Sequence, residues 1–133
     1  MKSYFSVNDA NEILPTVIKK FNHAKKMKDE VMKIEHQLTS SITQTTSLEE
    51  YATIKRELNS TVTKFYQSIE DLESTGVFLK GLGEGLLDFP AKRFDEEIWL
   101  CWKEGETEIK FWHEKDTGFM GRKPISVSNE SLV

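Results

Sequence analysis

The strongest constraint on the fold is a pair of apolar seams, each repeating about every 3.5 residues, joined by one polar stretch. In the first, Val17, Phe21, Ala24, Met27, Val31, Ile34 and Leu38 follow at steps of 4, 3, 3, 4, 3 and 4. In the second, Leu48, Tyr51, Ile54, Leu58, Val62, Phe65, Ile69 and Leu72 keep the same rhythm. That period gathers each set on one face of an α-helix and is the spacing of coiled coils. The link, Thr39 to Thr46, is polar apart from Ile42. Ser6 with Asp9, and Ser47 with Glu50, resemble capping boxes that open helices, and Gly76 closes the second. A short link folds two such helices back antiparallel, so a coiled-coil-like hairpin is expected at about 7–75. Pro15 falls two turns into the first helix, removing a donor and crowding the turn before it. A short first helix or a kink is expected there. Two helices alone bury only a narrow seam. A second layer is therefore expected: a C-terminal sheet, a second hairpin in a homodimeric four-helix bundle, or both.

After Gly76 the pattern alternates with period two, over 77–80, 86–89, 91–94, 97–103 and 107–113. That predicts a small antiparallel sheet at about 77–113, a C-terminal loop at 114–125 and a flexible polar tail at 126–133. The fold class is α+β, with one domain over 1–125. A two-residue turn within Glu104–Thr107 would pair Trp102 with Ile109, Leu100 with Phe111 and Ile98 with His113. A second turn at Asp95–Glu96 would pair Arg93 with Ile98 and Ala91 with Leu100. In that register Arg93, Ile98 and His113 stand abreast on one face. Trp99, Cys101 and Trp112 form an apolar patch on the other, a candidate interaction surface.

Several functions are disfavoured. No apolar run is long enough to cross a bilayer, and the start carries no secretory core segment. The single cysteine, Cys101, allows no internal disulfide and suits the reducing cytosol, so a cytoplasmic location is expected. Net charge is −4, and Glu96, Glu97, Glu104, Glu106 and Glu108 crowd the tryptophan hairpins. Base-stacking sites pair aromatics with a basic groove, so nucleic acid is not expected. Gly81-x-Gly83-x-Gly85 leads into a strand rather than a helix and carries Glu84, so it reads as a connector rather than a phosphate loop.

Asp88-Phe89-Pro90-Ala91, Leu100-Cys101-Trp102, Trp112-His113, Asp116 and Gly118-Phe119-Met120-Gly121-Arg122 form one extended pattern. Together with Tyr4 to Asn11 and Leu14-Pro15, it resembles the family catalogued as domain of unknown function 2203, a set of small bacterial and archaeal proteins. The resemblance spans nearly the whole chain and implies no activity. It implies that whatever the family shares lies at 88–122 rather than in the helices. Asp95-Glu96-Glu97 departs from the pattern, where a glycine is expected in the turn.

The candidate ligand-binding residues are Arg93, His113, Asp116 and Arg122, with Asp88 nearby in sequence. Two guanidinium groups and an imidazole suit a phosphate or carboxylate. The same residues also suit a structural ion-pair network that pins the C-terminal loop. His113, Asp116 and Asp88 are a weak metal signal, and no metal or cofactor is expected. Cys101, mid-strand among bulky neighbours, reads as a small buried hydrophobe. His23 and His36 sit among charged neighbours on the hairpin and read as solvated. The leading expectation is a non-enzymatic interaction or regulatory module, self-associating through the hairpin or meeting another protein. The alternative is a binding protein or enzyme for a small anionic ligand at the sheet rim.

Overall fold

The structure, a computed structural model, describes residues 3–44 and 47–125. The expected flexible tail at 126–133 lies outside them. Helix α1 spans Val7–Thr43 and helix α2 spans Leu48–Glu73. At 37 residues, α1 is about 55 Å long. Both openings follow the sequence: the Ser6 hydroxyl accepts from the Asp9 amide at 3.0 Å, and Ser47 from Glu50 at 3.1 Å. Gly76, at φ +103°, ends the hairpin in a conformation that disfavours a side chain.

The short first helix expected at Pro15 does not form: Pro15 lies exposed within a continuous α1. Ala10, Leu14 and Val17 are buried on both sides of it. That packing outweighs a proline penalty of about 3 kcal/mol.

Five antiparallel strands follow as a meander in the order β1-β2-β3-β4-β5. They are β1 (Phe78–Gly81), β2 (Leu86–Arg93), β3 (Glu96–Lys103), β4 (Phe111–Glu114) and β5 (Lys123–Pro124). The last strand falls in the stretch expected to be loop. One face of the sheet packs Leu87, Phe89, Ala91, Ile98, Leu100, Trp102 and Trp112 into a core shared with Ala10, Leu14, Val17, Phe21 and Leu72. Phe21 meets Trp102 edge-on at 5.3 Å between ring centroids. The sheet is thus the second layer that the narrow seam needs. Farther along the hairpin, Met27, Val31, Leu38 and most of the α2 seam are only half-buried.

Both expected registers need correction. The β2–β3 turn is centred on Phe94–Asp95, so Arg93 faces Glu96 and Ala91 faces Ile98. Both turn residues hold positive φ, 51° and 64°, the signature of a two-residue turn that asparagine and glycine favour. Replacing Phe94-Asp95 by Asn-Gly should stabilise the protein by about 1 kcal/mol, read as a higher denaturant midpoint with unchanged slope.

The β3–β4 register is displaced by one residue. Lys103–Glu106 forms a turn closed by the Glu106 amide on the Lys103 carbonyl at 3.0 Å, with Gly105 at φ +104° in its third position. Residues 107–110 then leave the ladder. The Ile109 amide donates to Asn11 Oδ1 at 2.7 Å instead of to a strand. Pairing resumes with Cys101 opposite Phe111, Leu100 opposite Trp112 and Trp99 opposite His113. Because strand side chains alternate, a one-residue slip exchanges the faces. Trp112 therefore enters the core, and His113 turns outward.

Candidate functional site

The outer face of the sheet carries Asp88 on β2, Trp99 and Cys101 on β3, and Phe111 and His113 on β4. Asp88 is directly opposite Cys101, and His113 lies diagonally across from it on the other neighbouring strand. Strands two apart are separated by about 9.5 Å. A small side chain on the middle strand lets the two longer ones meet above it, and Cys101 is that small side chain. His113 Nε2 lies 3.1 Å from both Asp88 oxygens, and Cys101 is also within hydrogen-bonding reach of His113. One donor atom from each residue falls within 4.8 Å of the others, and all three residues are buried.

The other ring nitrogen fixes the proton arrangement. His113 Nδ1 lies 2.9 Å from the Glu114 carbonyl, which only accepts, so Nδ1 carries a hydrogen. That carbonyl also accepts from the Thr117 amide and hydroxyl, both at 3.2 Å, in the turn that follows β4. Nε2 is left facing a carboxylate and a sulfur. Burial by itself lowers the His113 pKa. The hydrogen bonds to Asp88, Cys101 and Glu114, with the Asp88 charge, outweigh it and raise the pKa from 6.5 to about 10. The ring thus stays protonated through neutral pH, with Nε2 against the Asp88 oxygens.

A raised folded pKa fixes the sign of the pH dependence. The pair's contribution to stability is complete below about pH 6.5 and is lost as pH rises through about 10. Chelator-treated protein should show a denaturant midpoint that falls across that window. Asp88→Asn should flatten the fall.

The geometry bears on two chemistries. A nucleophilic cysteine needs one imidazole nitrogen for the thiol and the other for the orienting carboxylate. Here Asp88 occupies Nε2, and Nδ1 is spent on a backbone carbonyl, so no cysteine–histidine–aspartate relay forms. Metal ligation needs the opposite arrangement, with one nitrogen converging on the other ligands and its partner donating to a carbonyl or carboxylate. A tetrahedral zinc ion about 2.0 Å from nitrogen and oxygen holds those donors about 3.3 Å apart. The observed 3.1 Å is close to that. Nitrogen and oxygen are thus already spaced as such an ion spaces them, with the cysteine sulfur inside the same 4.8 Å.

A cleft of about 220 Å³ opens over the three residues. Leu86, Trp99 and Phe119 supply its apolar walls, and Lys80 and Lys115 its cations. The Lys80 ammonium lies 4.4 Å above the Trp99 ring and 5.7 Å from Phe78. Lys115 is tied to Glu97 at 2.6 Å. The cover over Phe119 is clamped by Arg122, whose guanidinium stacks on Phe111 at 3.9 Å and Phe119 at 4.7 Å and pairs with Glu106 at 2.5 Å.

Of the residues expected to form a pocket, only Asp88 and His113 meet. Arg93 is on the opposite face of the sheet from His113. Its guanidinium lies 4.8 Å over Trp112 and 4.9 Å over Phe94, and its charge, behind the larger effect of Lys123, helps lower the Glu114 pKa. Asp116 is exposed on the turn after β4, and Glu106 rather than Asp116 holds Arg122. The expected patch also divides: Trp99 and Cys101 face outward, whereas Trp112 is 3% exposed in the core. Phe78 covers Trp99 edge-on at 5.2 Å. The sequence placed Cys101 in the apolar patch rather than beside His113, and gave no signal for Lys80. The signal for Cys101 was its place beside the histidine strand, but one slipped residue set His113 on the other face.

No curated protein and no solved structure matches the chain. A family model described as an uncharacterised conserved protein matches residues 3–125. All three converging residues lie inside that span, and the chain belongs to the domain of unknown function 2203 family.

Proposed function

We propose that this protein binds a divalent transition metal, zinc by the character of its donors, through Asp88, Cys101 and His113. The observation that carries the reading is the convergence of these donors within 4.8 Å, with the remaining histidine nitrogen held by a backbone carbonyl. Thiolate, imidazole and carboxylate together suit zinc better than calcium or magnesium, which prefer oxygen. Three protein ligands leave a fourth position, the arrangement of zinc sites that exchange water or substrate.

Cobalt(II) replaces zinc in such sites and reports its ligands by colour. Chelator-treated protein titrated with cobalt should reach one equivalent with a thiolate charge-transfer band. Cys101→Ala should lose that band, and His113→Ala should weaken binding about 100-fold or more. A wild-type protein that takes up neither cobalt nor zinc at micromolar concentration sinks the proposal.

The interaction reading keeps one observation of its own. Ile42 and Leu48, at the hairpin's far end, are 67% and 84% exposed. Self-association through that end predicts a concentration-dependent sedimentation coefficient, abolished by Ile42→Lys with Leu48→Lys. A monomer at all concentrations removes the homodimer.

A further inference from the structure

We propose that the cleft over Asp88, Cys101 and His113 receives a small anion, a carboxylate or phosphate, with one oxygen on the metal's fourth position and Lys80 as its counter-charge. This rests on the metal reading above and adds the class of ligand.

The charge balance comes first. A divalent ion bound by one carboxylate, one thiolate and one neutral imidazole makes a site of zero net charge. Lys80 then stands over it as a cation. Its ammonium is held against Trp99 and Phe78, and no carboxylate pairs with it among the described residues. Lys115, the other cation on the wall, is neutralised by Glu97. A metal with an open position beside one uncompensated ammonium favours an anion with two oxygens to share between them.

Size narrows the class. The cleft is about 220 Å³, below the roughly 300–1,000 Å³ of sites for drug-sized ligands. It suits an acetate, a phosphate or a compound of a few carbons, and it is too small for a nucleotide. The walls from Leu86, Trp99 and Phe119 lower the local dielectric and strengthen both contacts to the anion.

The metal is essential to the attraction. Without it, the His113 ring nitrogen and the Asp88 oxygens are spent on each other at 3.1 Å, and Lys80 is, among the described residues, the one unpaired cation on the cleft wall. The anion should therefore bind the metal-loaded protein and not the chelator-treated one.

The test uses full-length protein loaded with one equivalent of cobalt(II), titrated separately with inorganic phosphate and with acetate. Entry of either oxygen into the metal's coordination sphere shifts the d–d bands and leaves the thiolate band in place. The expected result is a saturable shift at millimolar anion. Lys80→Ala should weaken it about tenfold without changing the anion-free spectrum, and Lys28→Ala on α1 should leave it unchanged. A cobalt-loaded protein whose d–d bands ignore both anions overturns the inference while leaving the metal site standing. So does a Lys80→Ala variant with wild-type anion affinity. Failure to bind cobalt at all sinks the metal reading and this inference with it. Response to phosphate alone, or to acetate alone, supports the inference and selects the ligand's head group.

Discussion

Asp88→Ala should destabilise the metal-free protein by about 3–5 kcal/mol at neutral pH, a large part of the roughly 5–15 kcal/mol available to a domain. His113 is 3% exposed and its imidazolium is paired with Asp88 at 3.1 Å. Removing the carboxylate leaves that charge buried and unpartnered. Replacing both residues, Asp88→Leu with His113→Leu, should recover most of the loss, because an apolar pair carries no desolvation cost. Urea denaturation of the two single variants and the double variant gives the coupling directly. A loss under about 1 kcal/mol for Asp88→Ala would mean that His113 is neutral in the folded protein. Zinc adds a second readout. At a thousandfold excess over its dissociation constant, a ligand stabilises the native state by about 4 kcal/mol. The wild-type protein should gain that amount, and both the Asp88→Ala and the double variant should gain almost none of it.

The helices were legible in the sequence because their signals are local. Ser6, Ser47 and Gly76 act within one turn, and the apolar seams need no knowledge of the rest of the chain. Strands β1 to β3 were legible for the same reason, as alternation within a few residues, whereas β5 and the start of β4 were not. The faces of β4 were not. Whether His113 meets Arg93 or Asp88 depends on how many residues the 104–110 connection takes out of the ladder. That number is set by contacts remote in sequence. Asn11 on α1 captures the Ile109 amide, and Ile109 and Trp112 both enter the core despite standing an odd number of residues apart. An ideal two-residue hairpin cannot bury both on one face. The candidate site therefore escaped sequence reasoning through one unit of parity. The anion class expected there survives only as a proposal, with Lys80 in the role first given to Arg93.

Trp102 links this parity to the core, and Trp102→Ala should cost about 3–5 kcal/mol. Its ring is 1% exposed against Phe21, so truncation leaves a large void under the sheet. Its Nε1 also donates to the Glu106 carbonyl at 2.8 Å, within the turn that ends β3. The Lys103 amide donates to the Glu106 side chain at 2.7 Å in the same turn. Glu106 in turn holds Arg122, the clamp over the cleft. Trp102→Phe separates the two roles. It keeps most of the ring and gives up the Nε1 bond, so it should cost only about 1–2 kcal/mol. If that bond helps set where β4 resumes pairing, Trp102→Phe should weaken cobalt binding by more than its small stability loss accounts for, because His113 then samples the wrong face. Wild-type cobalt affinity in Trp102→Phe would show that Asn11 and the burial of Trp112 hold the register without help from the indole.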